Sequence, residues 1–379
     1  MNEIKFQVEN EIFNIPKNFT EIDKFTVSSS PRDYDVSFET EEPSILIKKL
    51  LNKATDNLLI SDSNVYELHF KNLQYDPKKI LKIQACEQFK TLEGVSTIIE
   101  FLERNNFTKS STVIVAGGGI TQDVSAFACA CYKRGIKWFF LPTTLLSMCD
   151  SCIGGKAGIN HNNAKNQLGL FSAPHKVIIN TLFLQTLEKR DIKSGLGEIL
   201  KLLAIGGSDI FDTYAKYVIN GNIKDSTSFK PLILGALWVK KLVIEFDEFE
   251  KNHRRSLNYG HTIGHAIESL SSYKIPHGLA IVIGMLIADK LSSENGMLPE
   301  EDRAKIKTFA FELIKSENIT NIPTSGIEEL LRKDKKTSGK QLNFAVLKAL
   351  GNTQMLQLPL KDETINRIKE IINEEFKIT

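Results

Sequence analysis

Short runs of apolar side chains alternate, through the first half of the chain, with stretches whose apolar positions recur every three and four residues. The runs Tyr34–Phe38, Asn57–Ser61, Thr112–Ala116, Lys137–Leu141 and Lys176–Asn180 are strand-like in length and rich in Val, Ile and Phe. Between them Pro43–Lys53, Leu92–Arg104 and Gln122–Arg134 carry helical spacing. Strands alternating with helices of this length predict βαβ units and a parallel sheet. About the first 30 residues precede the pattern, and their alternation of charged and apolar side chains predicts an extra strand or hairpin at the sheet edge. From Glu188 the spacing turns helical almost throughout. Gly195–Ile205, Pro231–Phe246, His261–Leu270, Leu279–Asn295, Glu301–Ser316, Ile327–Leu331 and Glu363–Phe376 read as helices, with Asn343–Lys348 a late strand candidate.

The fold class this predicts is an α/β nucleotide-binding domain with a parallel sheet over residues 1–188, its first 33 residues an extension, followed by an all-helical domain over 189–379. A chain of 379 residues is long for one core, so two domains with a ligand cleft between them are expected. A net charge of +2 with lysines and acids interspersed leaves no footprint for nucleic acid. The longest apolar run, Gly278–Ala288, is too short to span a membrane, and MNEIKFQVENEIF has no signal-type apolar core, so a soluble cytoplasmic protein is expected. Five cysteines make no disulfide framework. Cys149 and Cys152 form a C-x-x-C without a second pair to complete a thiolate site, and they, like Cys129 and Cys131, are read as packing residues.

Chemistry concentrates between Arg254 and His277, which holds three of the seven histidines. His261 and His265 are four apart on one helix face, an arrangement that suits one metal ion or a proton relay. A third ligand would be His277 or an acid. Glu198 is the strongest acid candidate, because a carboxylate amid the apolar residues of SGLGEILK is costly unless paired or bound to a cation. The competing reading has the histidines hydrogen-bonded in a helical core. A second focus is TVIVAGGGITQD, where Gly117, Gly118 and Gly119 join a strand to a helix and would let a diphosphate approach the helix N-terminus. It is not G-x-G-x-x-G, and a tight packed turn would look the same. Thr143 and Thr144, at the end of the next strand, add hydroxyls for the same ligand. Lys156, beside Gly154 and Gly155, and Lys165 offer positive charge for phosphate.

Together GGGITQD, KRGIKWFFLPTTLLS, DSCIGGKAGIN, AKNQLGLF, SGLGEILK, RRSLNYGHTIGHAIE and HG, in order and with compatible spacing over roughly residues 34–350, resemble the 3-dehydroquinate synthase family of sugar-phosphate cyclases. The resemblance implies an NAD- and zinc-dependent homodimeric lyase, with Co2+ as an alternative metal, acting on a small sugar phosphate in the shikimate route to aromatic amino acids. It places the metal on Glu198, His261 and His277 and turns His265 to the substrate. The three glycines, Asp123, Thr143, Thr144 and Lys165 match positions lining NAD, and Asp62, Asn64, Glu87 and Lys90 match its adenosine half. Asp150, Lys156, Asn166, Lys201, Lys240, Arg254, Asn258, His265 and Lys336 match the substrate pocket. Arg134 matches an arginine donated across the dimer interface.

The implied reaction converts 3-deoxy-D-arabino-heptulosonate 7-phosphate to 3-dehydroquinate and phosphate, through transient oxidation, phosphate elimination, re-reduction and an intramolecular aldol step. The family's HGE reads His277-Gly278-Leu279, so a carboxylate beside a metal ligand is missing. GGKTGIN reads GGKAGIN at Ala157, and a family aspartate reads Asn180. These departures keep open a sister cyclase, such as a 2-deoxy-scyllo-inosose or valiolone synthase. A metal- and NAD-dependent alcohol dehydrogenase is less well matched, because it has no use for the phosphate and carboxylate groups. Lys240, Arg254 and Asn258 keep the spacing expected for the carboxylated heptulosonate.

Overall fold

A computed structural model describes residues 3–30, 32–53, 56–162, 164–220, 228–315, 317, 319, 322–333 and 341–376. Its strands, in chain order, are β1 (Glu3–Val8), β2 (Glu11–Pro16), β3 (Lys24–Val27), β4 (Tyr34–Phe38) and β5 (Leu58–Asp62). Then come β6 (Ile80–Ile83), β7 (Val113–Gly117), β8 (Trp138–Pro142), β9 (Lys156–His161) and β10 (Ala164–Phe171). The last are β11 (Lys176–Ile179), β12 (Gln341–Ala349) and β13 (Asn352–Pro359). The chain forms two compact units, one built mainly on Glu21–Leu187 and the other on the residues from Glu188 onward together with residues 1–20.

The first unit holds a seven-stranded sheet in the order β3-β4-β11-β8-β7-β5-β6, parallel except for the β3–β4 pair. Every residue of β7 is buried, which explains why these strands read as unbroken apolar runs rather than alternating ones. The helix Leu92–Arg104 begins where the Thr91 hydroxyl accepts from the Gly94 N–H at 3.3 Å. From β5 the chain passes to β6 on one side and β7 on the other, so the carboxyl ends of β5 and β7 flank a topological switch point, where α/β sheets bind ligands. Asp62 ends β5, and the three-glycine turn follows β7. A two-stranded hairpin, β9–β10, was not anticipated, because its glycines and lysines read as a phosphate loop.

The second unit is mainly helical, as expected, but not wholly so. A four-stranded sheet, β12-β13-β1-β2, packs with its helices. The predicted N-terminal hairpin is present, but it joins this sheet and not the edge of the first. β1 pairs antiparallel with β2 and parallel with β13, aligning Gln7 with Asn352. Ile4, Phe6 and Val8 turn inward, and Phe6 stacks on Phe13 with ring centroids 5.1 Å apart. Alternation specifies a half-buried strand and says nothing of which sheet it enters. Among the described residues no helix is long and apolar enough to cross a membrane.

Three helices of this unit matter most: Lys189–Gly206, His261–Leu270 and His277–Glu294. The last is buried nearly all round, so it shows no polar stripe. It meets the first where Gly197 lies against Gly278: a Cβ on Gly278 would fall inside the Ser194 carbonyl, and one on Gly197 inside the Gly278 carbonyl. The Ser194 hydroxyl also accepts from the Gly278 N–H at 3.0 Å. A second crossing sets Gly260 and Gly264 against Ala280, Ile281 and Gly284.

The same helix buries Asp289, whose carboxylate accepts from the Tyr259 hydroxyl while its Oδ2 has no partner among the described residues. Burial pushes this carboxyl up to about 7, against the opposing pull of Tyr259 and Arg303. A carboxyl raised in the folded state contributes stability below about pH 4 and loses it as the pH climbs through 7. Asp289→Asn is therefore expected to stabilise the protein by about 1–3 kcal/mol at pH 8, the linkage gain of about 4 being reduced by an unpartnered amide N–H. At pH 4 the linkage gain is gone and only the cost of the unpartnered amide N–H remains, so the substitution should be neutral to destabilising. Denaturant melts at the two pH values test this, and an equal effect at both would refute it.

Candidate functional site

The candidate metal centre is built where the three helices meet. Glu198 follows Gly197 at the first glycine crossing, and His277 precedes Gly278 at the same point, so backbone contact sets their separation. Glu198 is fully buried and divides its two oxygens between two tasks. Oε2 pairs with the Lys201 Nζ at 2.6 Å, one helical turn on, and Lys201 is itself buried. Oε1 faces His277 Nε2 at 3.3 Å and His261 Nε2 at 3.6 Å. His265 completes a triangle of imidazoles, with ring centroids 5.1 Å from His261 and 5.6 Å from His277. One ligand atom from each of the three histidines can be chosen so that all lie within 4.8 Å of one another.

The other ring nitrogens are held as well. His261 Nδ1 lies 3.2 Å from the Tyr259 carbonyl, and His277 Nδ1 lies 3.0 Å from Glu268 Oε2. With Nδ1 engaged in each ring, Nε2, beside the same carboxylate oxygen, is the nitrogen that would take an ion. A buried carboxylate and imidazoles so oriented are the donor set a tetrahedral divalent ion takes. Burial works against charge on His277, but its hydrogen bonds to Glu198 and Glu268 prevail and raise it to about 9. In the metal-free protein this ring therefore holds the proton that an ion would displace.

Glu268 was not singled out from sequence. It stands seven residues after His261 and three after His265, on the face both occupy, and that spacing was the available signal. Its carboxylate also answers the departure at Leu279. That leucine is fully buried, yet His277 still has a carboxylate on its second nitrogen.

Other predicted residues of this unit stand nearby in sequence. Lys240 and Arg254 are buried, and Asn258 is half-buried. An Arg254 Nη1 donates to the Glu248 carbonyl, and the Arg254 backbone N–H donates to Asp247 Oδ2 at 3.0 Å. Asn258 Nδ2 donates to Glu250 Oε1 at 2.8 Å. Lys336 lies outside the described residues.

In the first unit the glycine turn shows a division of labour. A Cβ on Gly117 would collide with Thr121, and one on Gly118 would come 2.9 Å from Thr144 Cγ2. At Gly119 the nearest neighbour would be Ser151 Oγ, at 4.0 Å. Packing of the turn thus explains the first two glycines, while the third opens onto free space at the N-terminus of the helix Gly119–Cys131. That cradle and the unbonded N–H groups of the first turn suit a diphosphate. Thr143, buried, donates its backbone N–H to the Gly117 carbonyl at 3.0 Å, so both threonines sit against the turn.

Asp123, one turn into the helix, pairs with Lys90 at 2.6 Å and accepts from the Gly158 backbone. Burial raises the Asp123 carboxyl, and Lys90 opposes it. Asn160 links this group to the hairpin: it donates to Glu87 Oε1 at 2.8 Å and accepts from the Asn166 N–H at 3.0 Å. Lys165 reaches Glu87 at 3.8 Å. Glu87, Lys90, Asp123, Lys165 and Asn166 are therefore gathered around one residue that sequence reasoning missed. Asp62 caps the turn after β5, with Oδ1 accepting from the N–H groups of Asn64 and Val65 at 2.7 and 3.3 Å.

Asp150 is half-buried, and Lys156 opens β9 on an exposed face. Arg134, exposed in a turn with positive φ, shares the lining of a cavity of about 350 Å3 with Arg32, Lys109, Lys137 and His175. Asn180 uses what an aspartate lacks: its amide donates to the Glu41 carbonyl at 2.6 Å while its Oδ1 caps Leu182. Cys129, Cys149 and Cys152 are buried free thiols, in keeping with a packing role, but Cys131 is exposed at the end of its helix.

Comparison with known proteins agrees with this geometry. Residues 80–194 match the 3-dehydroquinate synthase N-terminal family and residues 195–337 the 3-dehydroquinate synthase C-terminal family. The chain is 33% identical over 364 residues to a 3-dehydroquinate synthase of Thermoanaerobacter pseudethanolicus, covering 92% of this chain and 99% of that one. It is 34% identical over 337 residues to one from Streptococcus pyogenes serotype M6, covering 87% and 94%. Among solved structures it resembles a 2-deoxy-scyllo-inosose synthase complexed with carbaglucose-6-phosphate, NAD+ and Co2+, at TM-score 0.80 and 24% identity over 93% of this chain and 99% of that one. A 2-epi-5-epi-valiolone synthase from Streptomyces hygroscopicus subsp. jinggangensis, solved with NAD+ and Zn2+, gives TM-score 0.77 and 21% identity over 92% and 98%.

Proposed function

The chain belongs to the 3-dehydroquinate synthase family, and on that premise we propose that it converts 3-deoxy-D-arabino-heptulosonate 7-phosphate to 3-dehydroquinate and phosphate. The observation that carries the reading is the buried Glu198 carboxylate, with two imidazole Nε2 atoms turned to one of its oxygens and a third ring alongside. When bound, NAD supplies a reversible hydride acceptor, and zinc or cobalt orients and acidifies the alcohol to be oxidised.

The protein's own groups do the rest. Glu198, His261 and His277 hold the metal, while Lys201 keeps the inner oxygen of Glu198 neutralised. His265, the exposed ring of the triangle, faces the substrate. Gly119, Asp123, Thr143, Thr144 and Lys165 serve the cofactor diphosphate and nicotinamide side, and Asp62, Asn64, Glu87 and Lys90 the adenosine side. Arg254 offers a planar fork to the substrate carboxylate, steadied by its bond to the Glu248 carbonyl and supported by Lys240 and Asn258. Asp150, Lys156, Asn166 and Lys336 are assigned to the substrate. Arg134 is assigned to the site of a second copy, in a cytoplasmic homodimer.

Relatives at 33–34% identity favour this reaction over the sister cyclases, whose likeness at 21–24% bears on the fold alone. Purified protein supplied with NAD and zinc should release phosphate from the heptulosonate phosphate with no net NADH. Release from glucose 6-phosphate instead would transfer the assignment to an inosose-type cyclase. Accumulating NADH would point to a dehydrogenase.

A further inference from the structure

We propose that Glu268 is a positioning residue of the metal centre, holding His277 in the one tautomer and ring plane that turn its Nε2 to Glu198. The inference rests on the metal reading above and adds to it a residue outside the ligand set. Three observations carry it.

The first is direct geometry: Glu268 Oε2 lies 3.0 Å from His277 Nδ1, on the side of the ring away from Glu198 Oε1, which lies 3.3 Å from Nε2. A carboxylate only accepts, so Nδ1 carries a proton bound to Glu268, and Nε2 is the nitrogen left to give up its proton to an incoming ion. The second is placement. Glu268 is on the helix His261–Leu270, on the face of His261 and His265, whereas His277 opens a different helix after the loop through Pro276. The contact therefore ties the ligand at the start of one helix to the helix that carries its two companions. The third is relative exposure. The Glu268 side chain is 15% exposed and that of His277 31% exposed, so the acceptor lies deeper than the ring it holds.

A carboxylate behind a ligating imidazole raises its basicity and removes the entropy of ring reorientation, and loss of such a partner typically weakens metal binding about 10–100-fold. The test is zinc affinity of the full-length protein, measured by competition with a chromophoric chelator, for wild type, Glu268→Gln and Glu268→Ala. The visible absorption of each protein loaded with Co2+ is recorded alongside. Glu268→Ala should bind zinc about 10–100-fold more weakly and shift the cobalt bands, because His277 can then rotate. Glu268→Gln keeps an acceptor oxygen of the same shape and should recover most of the band position and part of the affinity. NAD affinity should not change in either.

Zinc bound as tightly by both variants as by wild type, with unshifted cobalt bands, would overturn the role of Glu268. The metal reading would survive that result provided Glu198→Ala still abolished uptake. A wild-type protein that takes up neither ion would overturn both.

Discussion

Glu198→Ala is expected to abolish uptake of a divalent ion and to lower kcat/KM for phosphate release by about a thousandfold or more, a loss of at least ~4 kcal/mol in transition-state stabilisation. The same substitution should destabilise the metal-free protein by about 3–5 kcal/mol, because it strands the buried ammonium of Lys201. The two losses are separable. Adding Lys201→Met removes the stranded charge and should recover most of the stability in a denaturant melt, yet none of the metal binding by calorimetry. If Glu198→Ala alone is as stable as wild type, the ion pair is not what holds this carboxylate in the core. If it still binds zinc, the ligand assignment falls.

The second large effect is expected at a residue with no side chain. Gly278→Ala adds one methyl group where the Ser194 carbonyl already stands, and backbone cannot swing aside as a flexible side chain would. The helices Lys189–Gly206 and His277–Glu294 must part at their crossing, and overpacking of this kind costs about 1–3 kcal/mol or more. Glu198 and His277 flank that crossing, so parting it should also weaken zinc binding at least about tenfold, with no ligand altered. Chelator competition and a thermal melt on Gly278→Ala check both. A variant as stable as wild type with undiminished zinc affinity would show that the close contact is incidental. A melt lowered without loss of affinity would show that the ligands are held by something other than the crossing.

Much of this was readable beforehand, for identifiable reasons. Tyr34–Phe38, Leu92–Arg104 and His261–Leu270 fall on the predicted residues, because each is a compact run with unmistakable periodicity and sharp ends. The cluster of Glu198, His261, His265 and His277 was legible because charge and imidazole stand out against apolar neighbours, whereas the choice of Glu198, His261 and His277 as ligands came only from the family resemblance. What escaped was either weakly patterned or non-local. β6 is four residues long with only Ile83 buried, and the β9–β10 hairpin is diluted by glycine. Asn160 and Glu268 are ordinary polar residues whose importance lies in what they touch. The extent of the second sheet was hidden most deeply, since only long-range pairing could reveal that residues 3–16 belong beside residues 341–359.

That last pairing has a consequence for synthesis. β1 is synthesised more than three hundred residues ahead of β13, the strand that makes the edge it occupies. At about 5–20 residues per second the hairpin waits roughly 20–70 s for its partner. Throughout that interval it presents an unpaired edge and the inward row Ile4, Phe6 and Val8 to the surroundings. The nascent chain therefore carries a sticky segment whose partner strand is not yet made, and holding it unaggregated until then is a task for the cell's chaperones.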